Sequence, residues 1–514
     1  MTAADPIVPV LRGHEPFSLD GVVRGPAGAA YADRPRSLVA MLEAVVQQRG
    51  EAVAVVELGG NQATYAELWS RAARVAGGLR GRGVGGGDRV AIRLANGLDW
   101  VIAFWGVQLA GAVAVPINVR LSAPEIDYQL ANSGANFCFE PEAALPDAAP
   151  IRPADPAPDD LAAIFYTSGT TGRPKGAMTT HANFLTNSEN AFRTLRVPRS
   201  VAPEISTLIS APLFHVTGCN SQMISILEGG GRVEVLPRAL DLELFLQAVT
   251  EHRINHLVTV PAIYYALINS EHFAAADVSS VRWVAYGGAP TSEKMVRRIK
   301  AAFPGALVGN GFGLTETSSL TSFLPDEDSV THPDSVGYPM PVVDLALDPV
   351  GSAEGVGELL VRGPNVVAGY WKAPEATEAA FVDGWLRTGD MARIDADGRL
   401  YIVDRSKDMI NRGGENVYSV EVENALAGSP GVGEAAVVGV ADEMMGEKVG
   451  AVLVPAPGEE IVVADVFADL RRRIADYKVP QYVSIRVEPL PRNPGGKVVK
   501  ARLADEVEWG RPLR

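Results

Sequence analysis

The sequence predicts an α/β fold, with a large N-terminal domain of α/β subdomains followed by a small C-terminal α+β domain, and three observations carry that prediction. At 514 residues the chain exceeds what one compact domain usually holds. Helical stretches alternate with short β-branched runs: SLVAMLEAVVQQ before AVAVV, TYAELWSRAARVAGGL before RVAIRL, DLELFLQAVTEH before HLVTV, and EKMVRRIKAAF before ALVGNGF. AVAVV is apolar throughout and HLVTV nearly so, with His256 and Thr259 its polar members, which marks parallel strands covered on both faces by crossover helices.

Taken in order, residues 1–36 carry scattered Pro and Gly with no apolar run behind a basic start, so they read as a loose N-terminal arm and not as a secretory signal. Residues 100–117 (WVIAFWGVQLAGAVAVPI) approach the length of a membrane span. Gly111 and Pro116 divide them into a buried helix and a short strand, and no integral membrane segment is expected. Residues 139–160, rich in Pro, Ala and Asp, read as a connection ahead of the strand LAAIFY. After Asp404 a glycine-punctuated stretch leads into a smaller segment (AAVVGV, KVGAVLV, VADVFADLRRRIADY), which places a large domain over residues 37–405 and a small one over 406–514.

Sixty-one acidic against 46 basic residues leave a formal net charge of −15, which opposes binding to nucleic acid or an anionic membrane and favours small-molecule partners. Residues 471–514 reverse this balance, with 11 Lys and Arg against 5 Asp and Glu. Alone that is a solvated basic face; beside a phosphate-binding loop it gains weight. The two cysteines, Cys138 and Cys219, lack the CxxC spacing of a zinc or redox site, read as buried apolar residues and fit a reducing cytoplasm.

The strongest chemical signal is Tyr166-Thr-Ser-Gly-Thr-Thr-Gly-Arg-Pro-Lys175-Gly176, between an apolar run and a second strand-like run. Its glycines (Gly169, Gly172) let backbone N–H groups approach an anion, the hydroxyls of Thr167, Ser168, Thr170 and Thr171 donate hydrogen bonds, and Lys175 supplies a compact charge. A Walker loop requires Gly-Lys-Ser/Thr after four variable residues. Here Pro174 precedes the lysine and Gly176 follows it, so a strand-to-helix cradle is not expected.

This run resembles the phosphate loop of the adenylate-forming superfamily, which includes acyl-CoA synthetases, 4-coumarate:CoA ligases, luciferases and peptide-synthetase adenylation domains. Further segments resemble that family's motifs in its order, over residues 37–505: APLFH ending at His215, GFGLTE from Gly311 to Glu316, GELLVRGP from Gly357, WLRTGD ending at Asp390, DRSKD from Asp404 and PRNPGGK ending at Lys497. The resemblance implies ATP, Mg²⁺ and coenzyme A as the small molecules used, a carboxylic acid as the group activated, and a C-terminal domain that moves.

It also implies roles. Phe312 would lie against adenine, with Gly311 and Gly313 also binding the nucleotide, Thr315 near the phosphates and Glu316 on Mg²⁺; a flat ring offers stacking area and a carboxylate oxygen suits a hard cation. A plain helix cap is the alternative for Glu316. Asp390 would accept from the ribose hydroxyls, assisted by Arg405, where the alternative is a turn residue after Gly389. Lys497 would meet the α-phosphate and attacking carboxylate, Lys407 would be the hinge, and Gly413 and Gly414 would line the tunnel for coenzyme A's thin arm.

The acyl site would be lined by His215, Gly218, Cys219, Tyr264, Gly287, Gly288 and Ala289, with His215 also bordering the reacting groups. No Lys or Arg falls in HVTGCN, VPAIY or YGGAP to bind a second carboxylate, so an apolar monoacid is expected. YGGAP resembles fatty acyl ligases and favours an aliphatic acid, with aryl or cinnamic acids as the alternative. An amino acid is disfavoured because no Asp stands near Tyr264 to hold an ammonium. A carrier-protein acyl-AMP ligase would carry an insertion that is not evident, and a catalytically dead scaffold would have lost Glu316, Asp390 or Lys497. A homodimer is left open.

Overall fold

The structure is a computed structural model describing residues 8–9, 16–25, 28–167, 174–237, 240–288, 291–349, 355–405, 408–412, 415–442, 446–492 and 498–513, with the backbone alone at Val8, Pro9, Arg405, Asn411, Glu415, Asn416 and Gly446. The alternation read from the sequence becomes sheets with helices between their strands. In the largest, five adjacent strand pairs are parallel, running from Leu307–Phe312 through Trp283–Gly287, His256–Thr259, Ser206–Ile209 and Arg232–Val235 to Val53–Glu57. Antiparallel strands close both edges: Ser322–Leu324 and Tyr338–Pro339 at one, Gln62–Thr64 at the other.

A second sheet orders Lys175–Thr180, Leu161–Thr167, Val113–Pro116, Arg89–Ile92 and Phe137–Phe139, and shares a core with the first. At its centre lies the helix Leu98–Leu109, where Trp100 stacks on Phe104 at 5.5 Å, followed by the strand Val113–Pro116. This is the division expected at Gly111. Among the described residues no helix is long and apolar enough to cross a membrane. Two of the helices start where caps satisfy orphan N–H groups: Ser37 accepts from Ala40, and Thr64 with Glu67 forms a capping box.

A third sheet, largely antiparallel, was not foreseen. Asp344–Asp348, Val356–Arg362, Trp385–Ile394 and Leu400–Arg405 pair in succession, with Phe381–Val382 on the edge. Beyond it the small C-terminal domain pairs Val432–Asp442 with Gly446–Pro455 and packs the helices Ser419–Ala427 and Val463–Leu470 on one core. The helix within VADVFADLRRRIADY stops at Leu470, shorter than the run suggested.

Three details differ from the sequence reading. Part of the N-terminal arm is packed: Phe17 is buried against Phe323, Val22–Gly25 pairs with Gly28–Tyr31, and the Tyr31 hydroxyl donates to Asn190 at 2.6 Å. The connection over residues 139–160 is held against the helix Tyr65–Arg80, where a Cβ at Gly77 would stand 2.1 Å from the Ala149 carbonyl oxygen. Cys138 is half-buried on an edge strand, whereas Cys219 is fully buried.

Two buried histidines couple this core to pH. His181 accepts from the Leu38 N–H through Nδ1 at 3.3 Å, and His256 lies 3.1 Å from the Thr207 hydroxyl; burial depresses each pKa from 6.5 to about 4. Between those values the unfolded chain takes up protons that the folded chain refuses. Stability is therefore complete above pH 6.5 and falls on acidification towards pH 4, by up to about 1.4 kcal/mol per pH unit for each histidine. Denaturant midpoints at pH 7 and pH 5 check this, with a lower midpoint expected at pH 5.

Candidate active site

Four of the motif segments leave from the carboxyl ends of neighbouring parallel strands. Residues 211–218 follow Ser206–Ile209, residues 260–264 follow His256–Thr259, Gly288 follows Trp283–Gly287, and residues 313–316 follow Leu307–Phe312. From Ser206–Ile209 the chain passes to Arg232–Val235 on one side; from His256–Thr259 it passes to Trp283–Gly287 on the other. Winding reverses between these strands, and open α/β sheets hold ligands in the crevice at such a reversal.

The phosphate loop joins two antiparallel strands, with Thr167 paired opposite Lys175, and so lacks the strand-to-helix form of a Walker loop. Ser168, Gly169, Thr170, Thr171 and Gly172 lie outside the described residues. At the loop's exit the Lys175 ammonium stands 5.2 Å from the ring centroid of Tyr370. The Tyr370 hydroxyl donates to Glu316 Oε1 at 2.7 Å, so one aromatic side chain bridges the loop's cation and the acid of GFGLTE. Burial, and then the Glu316 charge, push the phenol's pKa up and keep it a donor.

Tyr370 belongs to a strap over residues 364–371 that sequence reasoning passed over. Val367 N–H donates to the Glu316 carbonyl at 2.9 Å, Met178 N–H to Gly369 at 3.0 Å and Trp371 N–H to Gly176 at 2.8 Å. Asn183 Nδ2 donates to the Pro364 and Val366 carbonyls, and Asn365 Nδ2 to those of Thr317 and Leu320. The signal available was GYW following GELLVRGP, a tyrosine whose partner lies 54 residues away in sequence.

Glu316 stands in a 3₁₀ turn, Thr315–Thr317, with Thr315 beside it and Phe312 half-buried at the strand's end. Two non-glycine residues with positive φ follow, Ser318 at 56° and Ser319 at 113°, a conformation that persists only when its surroundings impose it. Here Asn220 Nδ2 donates to the Ser318 carbonyl at 3.0 Å and Ser221 to the Ser319 hydroxyl at 2.8 Å. Both braces come from a π-helical segment, Thr217–Ile224, a form concentrated at functional sites.

These features fit a magnesium nucleotide. Tyr370 engages Glu316 Oε1, while Oε2 takes no hydrogen bond among the described residues. Nor do the described residues hold a group of three or more His, Cys, Asp and Glu able to cage a metal. A single carboxylate beside a phosphate loop matches Mg²⁺, which is commonly held by one or two carboxylates together with substrate phosphates.

Asp390 is 2% exposed on the strand Trp385–Ile394 and is no surface turn residue. Pairing with Val356–Arg362 shifts register here, and Gly389 takes φ of 71°, so the strand bulges where its carboxylate is aimed. Arg405 pairs opposite Asp390 in the register, but its side chain lies outside the described residues. So do Ala289, Lys407, Gly413, Gly414 and Lys497.

The residues expected at the acyl site differ in exposure. Tyr264 is fully buried, its hydroxyl donating to the Leu257 and Ala285 carbonyls and its ring packed near Phe303. Cys219 is also fully buried, in the central core, so neither side chain offers surface to an acyl group in this conformation. Gly218 and Gly287 are accounted for by backbone packing: a Cβ would meet the Pro212 oxygen at 2.6 Å and the Gly311 oxygen at 2.2 Å. Gly288 alone of the three opens space, with only Val260 Cγ1 at 3.9 Å, and Val260 is itself 37% exposed. His215 lies beside Phe214, the two rings tilted by 53° with centroids 4.7 Å apart.

Comparison with known proteins identifies the family. The AMP-binding enzyme model matches residues 42–371, and the AMP-binding enzyme C-terminal domain matches residues 421–497. A feruloyl-CoA synthase of an Amycolatopsis species is 40% identical over 473 residues, covering 87% of this chain and 94% of the relative. A long-chain-fatty-acid–CoA ligase of Mycobacterium tuberculosis is 34% identical over 477 residues, covering 86% and 93%. Among solved structures, the o-succinylbenzoate CoA synthetase of Bacillus subtilis with its acyl-adenylate intermediate superposes with a TM-score of 0.81 at 29% identity, covering 91% and 99%. The same enzyme with ATP and magnesium gives 0.81 at 30%, covering 90% and 98%. The chain belongs to the AMP-binding enzymes, as an adenylate-forming acyl-CoA synthetase.

Proposed function

We propose that this chain joins an apolar monocarboxylic acid to coenzyme A in two steps, with ATP and Mg²⁺. The observation that carries the reading is the meeting of Lys175, Tyr370 and Glu316 at the carboxyl ends of the parallel strands. In the first step the acid's carboxylate oxygen attacks the α-phosphorus of ATP, the bond to the β-phosphate oxygen breaks, and pyrophosphate leaves. In the second the sulfur of coenzyme A, having lost its proton, attacks the acyl carbon; the bond to the phosphate oxygen breaks and AMP leaves.

Lys175 and the loop before it hold the β- and γ-phosphates, Glu316 holds the metal, and Asp390 with Arg405 holds the ribose. A bound Mg²⁺ neutralises phosphate charge. Lys497 enters for the first step, and the small domain then turns about Lys407 to bring the tunnel at Gly413 and Gly414 into place. Tyr370 fixes Glu316. Tyr370→Phe lowers acid-dependent pyrophosphate exchange about tenfold, the value of one hydrogen bond to a charged oxygen, and raises the Mg²⁺ concentration needed for half-maximal exchange.

The apolar segments around Gly288 and Val260, free of Lys and Arg, support a monoacid of aliphatic type. The 40% identity to a feruloyl-CoA synthase supports an aryl acid as the second reading. AMP release with ATP, Mg²⁺ and a panel of fatty, branched and aryl acids, each with and without coenzyme A, decides between them. Release that needs coenzyme A and one class of acid names the substrate. Pyrophosphate exchange without any thioester formed moves the acceptor to a carrier protein. Two free cysteines support a cytoplasmic setting, and sedimentation of the purified chain tests for a homodimer.

A further inference from the structure

The nucleotide-side sheet and the small domain meet at a buried polar cluster that the two proposed steps leave unused. Asp404, 1% exposed, lies on Leu400–Arg405, the strand whose next residue pairs opposite Asp390. Its Oδ1 accepts from the Ser419 hydroxyl at 3.0 Å, and its Oδ2 accepts from the Ser419 N–H. Ser419 opens the helix Ser419–Ala427, the first of the small domain, so the carboxylate caps an N-terminus supplied by the other domain. The Ser419 hydroxyl also accepts from Lys500 Nζ at 2.6 Å, and Lys500 pairs with Glu423 at 2.7 Å.

Lys500 begins the final helix, Lys500–Glu506, three residues after Lys497 in sequence. Pro491 and Val499 are joined by a 2.8 Å backbone hydrogen bond, so the segment between them starts and ends at one place. A contact running from Asp404 through Ser419 to Lys500 thus ties the foot of that segment to the sheet bearing Asp390. On the two-step reading Asp404 precedes the hinge at Lys407 and Ser419 follows it, so the contact joins segments on either side of that hinge.

We propose that Asp404 is a positioning residue: through Ser419 and Lys500 it holds the small domain in the orientation used for acyl-AMP formation, and the contact opens for acyl transfer. The inference rests on the two-step reading above. A charge-assisted contact of this kind, once lost, shifts the balance between two orientations by roughly tenfold.

The test compares the unvaried chain with Asp404→Ala and Ser419→Ala, each carrying spin labels at Arg297→Cys and Arg472→Cys, positions whose side chains are 61% and 71% exposed. Ser419→Ala keeps the N–H that faces Asp404 and guards against simple misfolding. Pulsed electron-resonance distances with AMP bound are expected to show one dominant separation in the unvaried chain, losing population about tenfold to a second separation in both variants. Pyrophosphate exchange falls in parallel, while transfer from preformed acyl-AMP to coenzyme A stays within about threefold. Unchanged distances in Ser419→Ala, or equal loss of both half-reactions, overturns the proposal. Failure of the ligase reading would show separately, as an unvaried chain without acid-dependent exchange, because the distances require only the nucleotide.

Discussion

Lys497→Ala lowers the rate of acyl-AMP formation by roughly 10²–10³-fold and leaves transfer from preformed acyl-AMP to coenzyme A nearly unchanged. As carboxylate attacks the α-phosphorus, negative charge accumulates on a five-coordinate centre. A cation held in place for that moment stabilises it more than the separated reactants, so its loss falls on the rate of one step and not on uniform binding. In the second step the phosphate is a leaving group already attached to the acyl carbon, and on the proposed two-step reading the small domain has turned. Pyrophosphate exchange reports the first step and single-turnover thioester formation the second. Equal loss of both would show that Lys497 supports the fold or both orientations alike.

Glu316→Gln lowers acyl-AMP formation by roughly 10²-fold, with the Mg²⁺ requirement raised beyond what exchange assays ordinarily contain. The amide keeps the shape and can still accept from Tyr370, but it removes the charge that a hard cation needs. Tyr370→Phe, with its smaller effect, acts through Glu316 alone. The double variant is therefore expected to be no slower than Glu316→Gln, a departure from additivity that marks two residues in one chain of contact. Additive losses would mean that Tyr370 acts independently, through Lys175 or the fold. Mg²⁺ titrations of all three variants decide the matter.

Much of the site could be read from the chain because its residues are grouped in short runs whose chemistry is local. Glycines, hydroxyls and one lysine within eleven residues describe an anion loop whatever surrounds them, and its hairpin setting follows from the strands on either side. Tyr370 escaped notice because a tyrosine after glycine has no meaning until Glu316, 54 residues earlier, is brought beneath it. Asn183 and Asn365 escaped for the same reason, and Asn220 was read only as the end of HVTGCN: each braces a backbone carbonyl distant in sequence. Tyr264 and Cys219 stand in runs that follow parallel strands, and only the packing shows that both side chains turn into the core.

Sequence alone determined the α/β class, the plan of a large and a small domain, and the family, since periodicity and contiguous motifs survive without coordinates. The tertiary structure decided which glycines make room and which answer to a neighbouring carbonyl, as at Gly288 against Gly218 and Gly287. It also decided that Asp390 sits on a buried bulge and that Asp404 caps a helix of the other domain. Those are matters of distance between segments far apart in the chain, set by how the sheets pack, and no local pattern of residue types encodes them.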